Sequence, residues 1–513
     1  TPDDTGAFSP RKDKDGKVVI NIGMDTVGRL IEGTSPLECN PATYLLYDQI
    51  FTLDPWTKGT TSDCLKEWYW EDDTTLIMVL RDNVYFSNGD HATAEDVLFS
   101  YQNLEDRGST FTDDMYLDLA HSEVRDDVTL AMKFTQPSVQ IFRHYISLYD
   151  KKWCEAQGDW ESEAFNNPVG SGPYKCVKYV YNDNIVMQLR DDYWNADESD
   201  PFIVDEFNIK RYPDATAMMM ALETGDIDLC TGTASDYSRY YNLSSGEKDK
   251  LDYALCACPS GVTEYIGFDL KGFDGLWRDN LNLRRAIAYC LDLDSVGVYI
   301  NGEELNNRTY GFATQGTDYY FEAGKYEYNP EYAKQLLDEA GIDPTTITVK
   351  ATMMSVSMYQ NFALAVQYYL EQMGFKVEFE YADVTAALSS WKNEGQNSFN
   401  LFYNAIGITA YDATSTMLNA AKEGTPWQYI NDAKFQELYA ECLNAHKSNE
   451  ELVQANHELQ QYIWDNCLAI PISEKMGVFA YNKEVFNEAI INAISFSGYF
   501  NTDGCIHASD WQK

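Results

Sequence analysis

Apolar and polar residues change period several times along the chain, and each change predicts an element. Residues 17–24 (KVVINIGM) alternate and read as a first strand. Residues 40–51 place Tyr44, Leu45, Tyr47, Ile50 and Phe51 at helical spacing. Residues 75–80 and 84–86 read as a β pair joined through Arg81-Asp82-Asn83. Thr93-Ala94-Glu95-Asp96 opens a helix in which Thr93 is the cap and Glu95 and Asp96 suit the positive end of the dipole. Strands dominate 127–209, with a turn at 170–173 and a hairpin of 174–181 and 185–190 around Asn182-Asp183-Asn184. Residues 214–223 form a Met-rich helix stopped by Gly225. Met218, Met219 and Met220 are consecutive and cannot share one stripe, and core filling is their expected role.

The period changes after Thr263. Residues 281–300 read as one long helix, and 330–340 as a second, with Asn329 as cap and Gly341 as stop. A regular alternation follows: strand 346–352, helix 358–373 ended by Gly374, strand 375–381, helix 384–393 capped by Asp383, and strand 399–403. That spacing predicts a parallel α/β sheet. Helices 433–446 and 450–466 precede a last apolar segment, 469–481. Open parallel sheets bind ligands beyond the carboxyl ends of their strands, here near 353–357, 381–383 and 403–412. The stretches 351–370 and 395–411 carry no charge. A low-charge crevice suits a small-ligand pocket, and simple burial of these elements explains the pattern equally well.

Composition narrows the function. The 513 residues include 81 Asp+Glu against 38 Lys+Arg, a formal charge of −43. Such a chain lacks the basic surface that nucleic acid or anionic lipid requires. With 44% hydrophobic and 14% aromatic residues it folds, and its length fits two large lobes or about three domains. Solubility alone accounts for much of the acid, and attraction of a cationic ligand is the sharper alternative. Residues 1–16 are polar and read as a tether, and a start at Thr1 without an apolar leader reads as a trimmed chain. No stretch has 18 apolar residues.

Catalytic signatures are missing. Ser171 sits in VGSGP rather than a nucleophile elbow, and no P-loop, HExxH or GxGxxG is present. The 6 histidines are isolated, which argues against a metal site or a triad; no cofactor is expected. The 11 cysteines are scattered and odd in number, and Cys256-x-Cys258 has the wrong spacing for a zinc knuckle. Most read as small buried hydrophobes. The 37 Tyr, 24 Phe and 11 Trp offer stacking faces for peptide side chains, sugars or cations.

Residues 75–101 (TLIMVLRDNVYFSNGDHATAEDVLFSY) resemble a block of the extracytoplasmic solute-binding proteins of peptide/nickel-type (family 5) ABC importers. GSGPY at 170–174, RDDYW at 190–194 with VDE at 204–206, ALETGDIDL at 221–229, YIGFD at 265–269, LRRAIAYCLD at 283–292 and NPEYAKQLLDEAG at 329–341 follow in the family's order. The resemblance implies an α/β, two-lobed periplasmic-binding-protein-like fold of the large, cluster C type. Lobe I would be 17–262, with an extra subdomain at about 52–168, completed by 478–513. Lobe II would be 263–477, and 265–269 and 470–479 would cross between them.

The implied function is capture of a peptide or peptide-like amine between closing lobes, without catalysis, for an ABC transporter membrane permease. The protein would be a monomer outside the cytoplasm, lipid-anchored before trimming. Met24, Asp25 and Thr26 end the first strand, which faces the ligand in this family. The family's amine-binding Gly-Trp-x-x-Asp segment is similar to Gly407-Ile408-Thr409-Ala410-Tyr411-Asp412. Ile408 then replaces Trp, and Tyr411 takes the acidic position unless a one-residue shift gives it to Asp412. Trp427 completes the implied ligand residues. The arginine that dipeptide-binding members use for the carboxylate has no counterpart in 353–359. A neutral solute such as an oligosaccharide is the alternative ligand, and a secreted hydrolase the alternative class.

Overall fold

In the computed structural model, residues 12–31, 41–57, 59–107, 115–158, 160, 162–232, 237–270, 275–383, 386–387, 401–404, 413–414, 417, 430, 432–495 and 502–512 are described. The chain divides into two units, Thr1–Cys258 with Gly477–Lys513, and Pro259–Met476. It passes between them twice, within the strands Tyr253–Phe268 and Ala469–Asn482.

In the first unit the Val19–Met24 strand is central. It pairs in parallel with Glu206–Arg211 on one side and Leu229–Gly232 on the other. Antiparallel strands widen both flanks: Asn184–Leu189 and Tyr174–Val180 on one, residues 478–481 on the other. The alternation read in the sequence sends Ile20 and Ile22 into a core shared with Phe207, Ile209, Tyr174 and Leu229. Asn182, at φ 54°, turns the expected hairpin.

Three expectations in this unit need correction. The helix expected over 40–51 is only Pro41–Leu46, with residue 40 outside the described residues. Beyond it the backbone is drawn into sheet-like pairing, because Asp48 N–H donates to Ser171 Oγ (2.9 Å) and Ile50 N–H to Ile146 O (2.8 Å). The strand Thr75–Leu80 pairs with Leu65–Asp72 and Thr129–Lys133, not with 84–86. Residues 84–92 instead close on themselves, Ala92 N–H donating to Val84 O at 3.0 Å. Strands do dominate 127–209, and the short helix Lys151–Gln157, started by the Asp150 cap, lies among them. Of the three methionines in Ala215–Thr224 only Met218 is buried; Met220 is 62% exposed.

Thr93 caps Ala94–Asp106 as read, and the structure adds a capping box: Asp96 Oδ2 accepts from both Thr93 N–H and Thr93 Oγ1–H at 2.7 Å.

In the second unit the helix expected over 281–300 is two, Leu281–Cys290 and Leu293–Asn301. Asp292 causes the break, since its carboxylate caps the second helix by accepting from Ser295 N–H (3.2 Å). Pro330–Glu339 has the Asn329 cap, and Gly341 follows at φ 67°. Thr348–Met354 and Lys376–Ala382 pair in parallel, bridged by Ser357–Gln372. Leu401–Asn404 does not extend this pair; it runs antiparallel to residues 265–268 of the crossing strand. Of the helix expected over 384–393 only 386–387 are described, with Ala386 N–H on the Asp383 carboxylate at 2.9 Å. The 10 described cysteines are free thiols and all buried.

Candidate functional site

The first unit puts the carboxyl ends of its parallel strands together. Met24 lies opposite Arg211, and Tyr212 N–H donates to Met24 O at 2.8 Å. Gly23 lies one step earlier, where a Cβ would fall 2.6 Å from Ile227 Cδ1 and force that side chain to shift. The register is locked from below by the buried Asp228, whose Oδ2 accepts from Asn21 N–H (2.8 Å) and Nδ2 (2.9 Å). The chain then leaves the sheet: Met24 is half-buried, Asp25 and Thr26 are exposed, and Val27 is buried again. Arg211 Nε donates to Asp25 O at 3.0 Å, so a guanidinium flanks the Asp25 backbone. Lys210 adds a second cation, its Nζ 5.3 Å from the Tyr212 ring centre.

The second unit has its own parallel strand ends. Ser355 N–H donates to Ala382 O at 2.7 Å, and the helix Ser357–Gln372 starts two residues later. Tyr381 is exposed there, while Tyr359 and Phe362 bury their rings on Tyr403, at 5.0 and 4.5 Å between centres. Tyr403 Oη–H donates to Glu264 Oε1 at 2.6 Å, and Asn301 Nδ2 and Ser473 Oγ both donate to Glu264 Oε2. Glu264 is fully buried on the crossing strand, and these donors satisfy both its oxygens.

Glu474, equally buried, is less well served. Its Oε2 accepts from Gln315 N–H (3.2 Å) and Asn307 Nδ2 (3.3 Å), Thr314 adds a side-chain hydrogen bond to the carboxylate, and among the described residues Oε1 has no hydrogen-bond partner. Burial pushes its carboxyl up to about 7. Neither glutamate was among the residues sequence reasoning selected. The available signal was a lone acid within an apolar crossing segment.

Of the expected ligand residues, Met24, Asp25 and Thr26 lie together at one strand end, with Thr26 Oγ1 3.3 Å from Asp25 Oδ1. Ile408, Tyr411, Asp412 and Trp427 lie outside the described residues.

Residues 61–428 match the family model of bacterial extracellular solute-binding proteins, family 5 Middle. That is well over half of the chain, and the chain belongs to this family: it is a solute-binding protein. Among particular relatives, the oligopeptide-binding protein AppA of Bacillus subtilis is 24% identical over 453 residues, 80% of this chain and 79% of that protein. The glutathione-binding protein GsiB of Salmonella paratyphi A is 24% identical over 478 residues, 88% of this chain and 87% of its own. A crystal structure of a putative peptide binding protein AppA from Clostridium difficile has a TM-score of 0.77 at 19% identity. It covers 96% of this chain and 99% of its own, and shares the α/β fold.

Proposed function

We propose that the chain is the extracytoplasmic substrate-binding component of an ABC importer and captures a peptide or peptide-like amine. The observation that carries this reading is the family match over 61–428. Two relatives add chemistry through their names, one oligopeptide-binding and one glutathione-binding. Both kinds of ligand carry a free amine and amide bonds. In this reading the ligand is held between 17–262 with 478–513 and 263–477, the former including the subdomain at about 52–168. Closure on the ligand, rather than chemistry, is the output, so no residue is assigned a catalytic role. The partner is a membrane permease, the working form is a monomer, and the polar run 1–16 is a tether to a lipid anchor.

Asp412 is the better candidate for the ligand amine. The Arg211 guanidinium beside Asp25 opposes a second cation at that strand end. Met24, Thr26, Ile408, Tyr411 and Trp427 line the ligand in this reading. Calorimetry against a library of short peptides tests it. Asp412→Ala should weaken the best peptide by about tenfold to a hundredfold, the worth of a charged hydrogen bond, and Asp25→Ala by less. Unchanged affinity in Asp412→Ala removes that role. Tyr411 at the acidic position favours the second reading, a neutral solute; tight sugar binding with no amine requirement would select it.

A further inference from the structure

The pair Cys256-x-Cys258, whose spacing fits no zinc knuckle, lies in the first unit on the strand Tyr253–Phe268. Strand alternation turns both cysteines inward and leaves Ala257 exposed between them. Cys256 is 6% and Cys258 4% exposed, and both belong to the core that contains Phe479, Tyr481 and Ile491. Their sulfurs stand 3.3 Å apart.

A third donor meets them. Asn492, on the helix Glu488–Ile494, turns its amide oxygen onto both thiols: Oδ1 accepts from Cys256 Sγ at 3.4 Å and from Cys258 Sγ at 3.2 Å. Two sulfurs and one oxygen therefore form a nearly equilateral triangle. A thiol is a weak hydrogen-bond donor, so little holds the two protons there against a cation that prefers sulfur. Residues of an extended strand rise about 3.3 Å each, which sets the two Cα atoms near the upper limit of disulfide geometry, about 6.8 Å. The pair is better placed to share an ion than to share a bond.

We propose that Cys256, Cys258 and Asn492 form a binding site for one soft, low-coordinate cation of the copper(I) class. Two S–H bonds break, two sulfur–metal bonds form, and both protons leave to water. Thiolates select soft ions. A structural zinc ion asks for four ligands, and among the described residues no third His, Cys, Asp or Glu joins the pair. A trigonal ion with bonds of about 2.3 Å needs its donors about 4 Å apart, so the three atoms must spread by roughly 0.6 Å. Asn492 is exposed, which lets its side chain make that adjustment, gives the ion an entry and leaves the remaining negative charge hydrated. The site uses none of the residues proposed for the peptide.

The test is transfer of Cu(I) from its coloured bathocuproine disulfonate complex to the full chain, in oxygen-free buffer with ascorbate. The chain should take up one equivalent. Cys256→Ser and Cys258→Ser should each weaken uptake at least about a hundredfold, and Asn492→Ala about tenfold, whereas Asp412→Ala should match the parent. No uptake, uptake undiminished in both serine variants, or displacement of the copper by equimolar zinc(II) would each overturn the proposal. X-ray absorption of the copper-loaded parent decides should the variants fail to fold. Two sulfur neighbours and one oxygen are expected, and any other sulfur count contradicts the assignment.

Discussion

Glu264 and Glu474 are both fully buried in the second unit, yet their oxygens are matched differently. Glu264 is saturated by Tyr403, Asn301 and Ser473. Tyr403→Phe removes one donor from a buried carboxylate and should destabilise the protein by about 1–3 kcal/mol in urea unfolding. Glu474 has one oxygen without a hydrogen bond among the described residues, and burial raises its carboxyl to about 7 from an ordinary 4.5. The folded state then holds a proton that the unfolded chain releases between those values, so this group's stability is present at low pH and lost as pH rises toward 7. Glu474→Gln should therefore melt like the parent near pH 4.5 and be more stable at pH 8, by about 2 kcal/mol. A variant equally destabilised at both pH values would contradict this account. Neither group was legible beforehand, because a single acid in an apolar run becomes notable only when its strand is known to be buried on both faces.

Elements fixed by neighbours in sequence were legible, and those fixed by distant partners were not. The Thr93 cap, the Asn329 cap and the 182–184 hairpin turn each need only a few adjacent residues. The early end of Pro41–Leu46 depends on Ser171, more than a hundred residues away. Leu65–Asp72 went unread as a strand because its charged residues are exposed on an otherwise paired ribbon.

Glycines divide in the same way. Gly225 follows Ala215–Thr224 at φ 77° with open space where a Cβ would stand. Gly225→Ala should cost only the backbone strain, about 1–2 kcal/mol. Gly170 is needed for close approach, a Cβ there falling 2.0 Å from Leu46 O. Gly170→Ala should cost about 3 kcal/mol or more, and equal melting losses for the two variants would refute the distinction.

For the whole molecule, the −43 charge does not by itself choose a ligand. Solubility alone accounts for much of the acid, but among the described residues six aspartates line one cavity of the first unit, so part of it is interior. The family was legible from ordered local blocks. Of the expected ligand residues, Met24, Asp25 and Thr26 stand at the end of the first strand, and Ile408, Tyr411, Asp412 and Trp427 lie outside the described residues. Ligand identity is harder to read, because it depends on side chains from separate parts of the chain meeting one small molecule.

The most direct measurement is native mass spectrometry of the protein purified without denaturation, followed by release and sequencing of whatever it carries. A bound peptide or peptide-like amine, displaced in Asp412→Ala, is the predicted result. A sugar, a metal chelate, or a ligand retained unchanged in that variant would contradict the account.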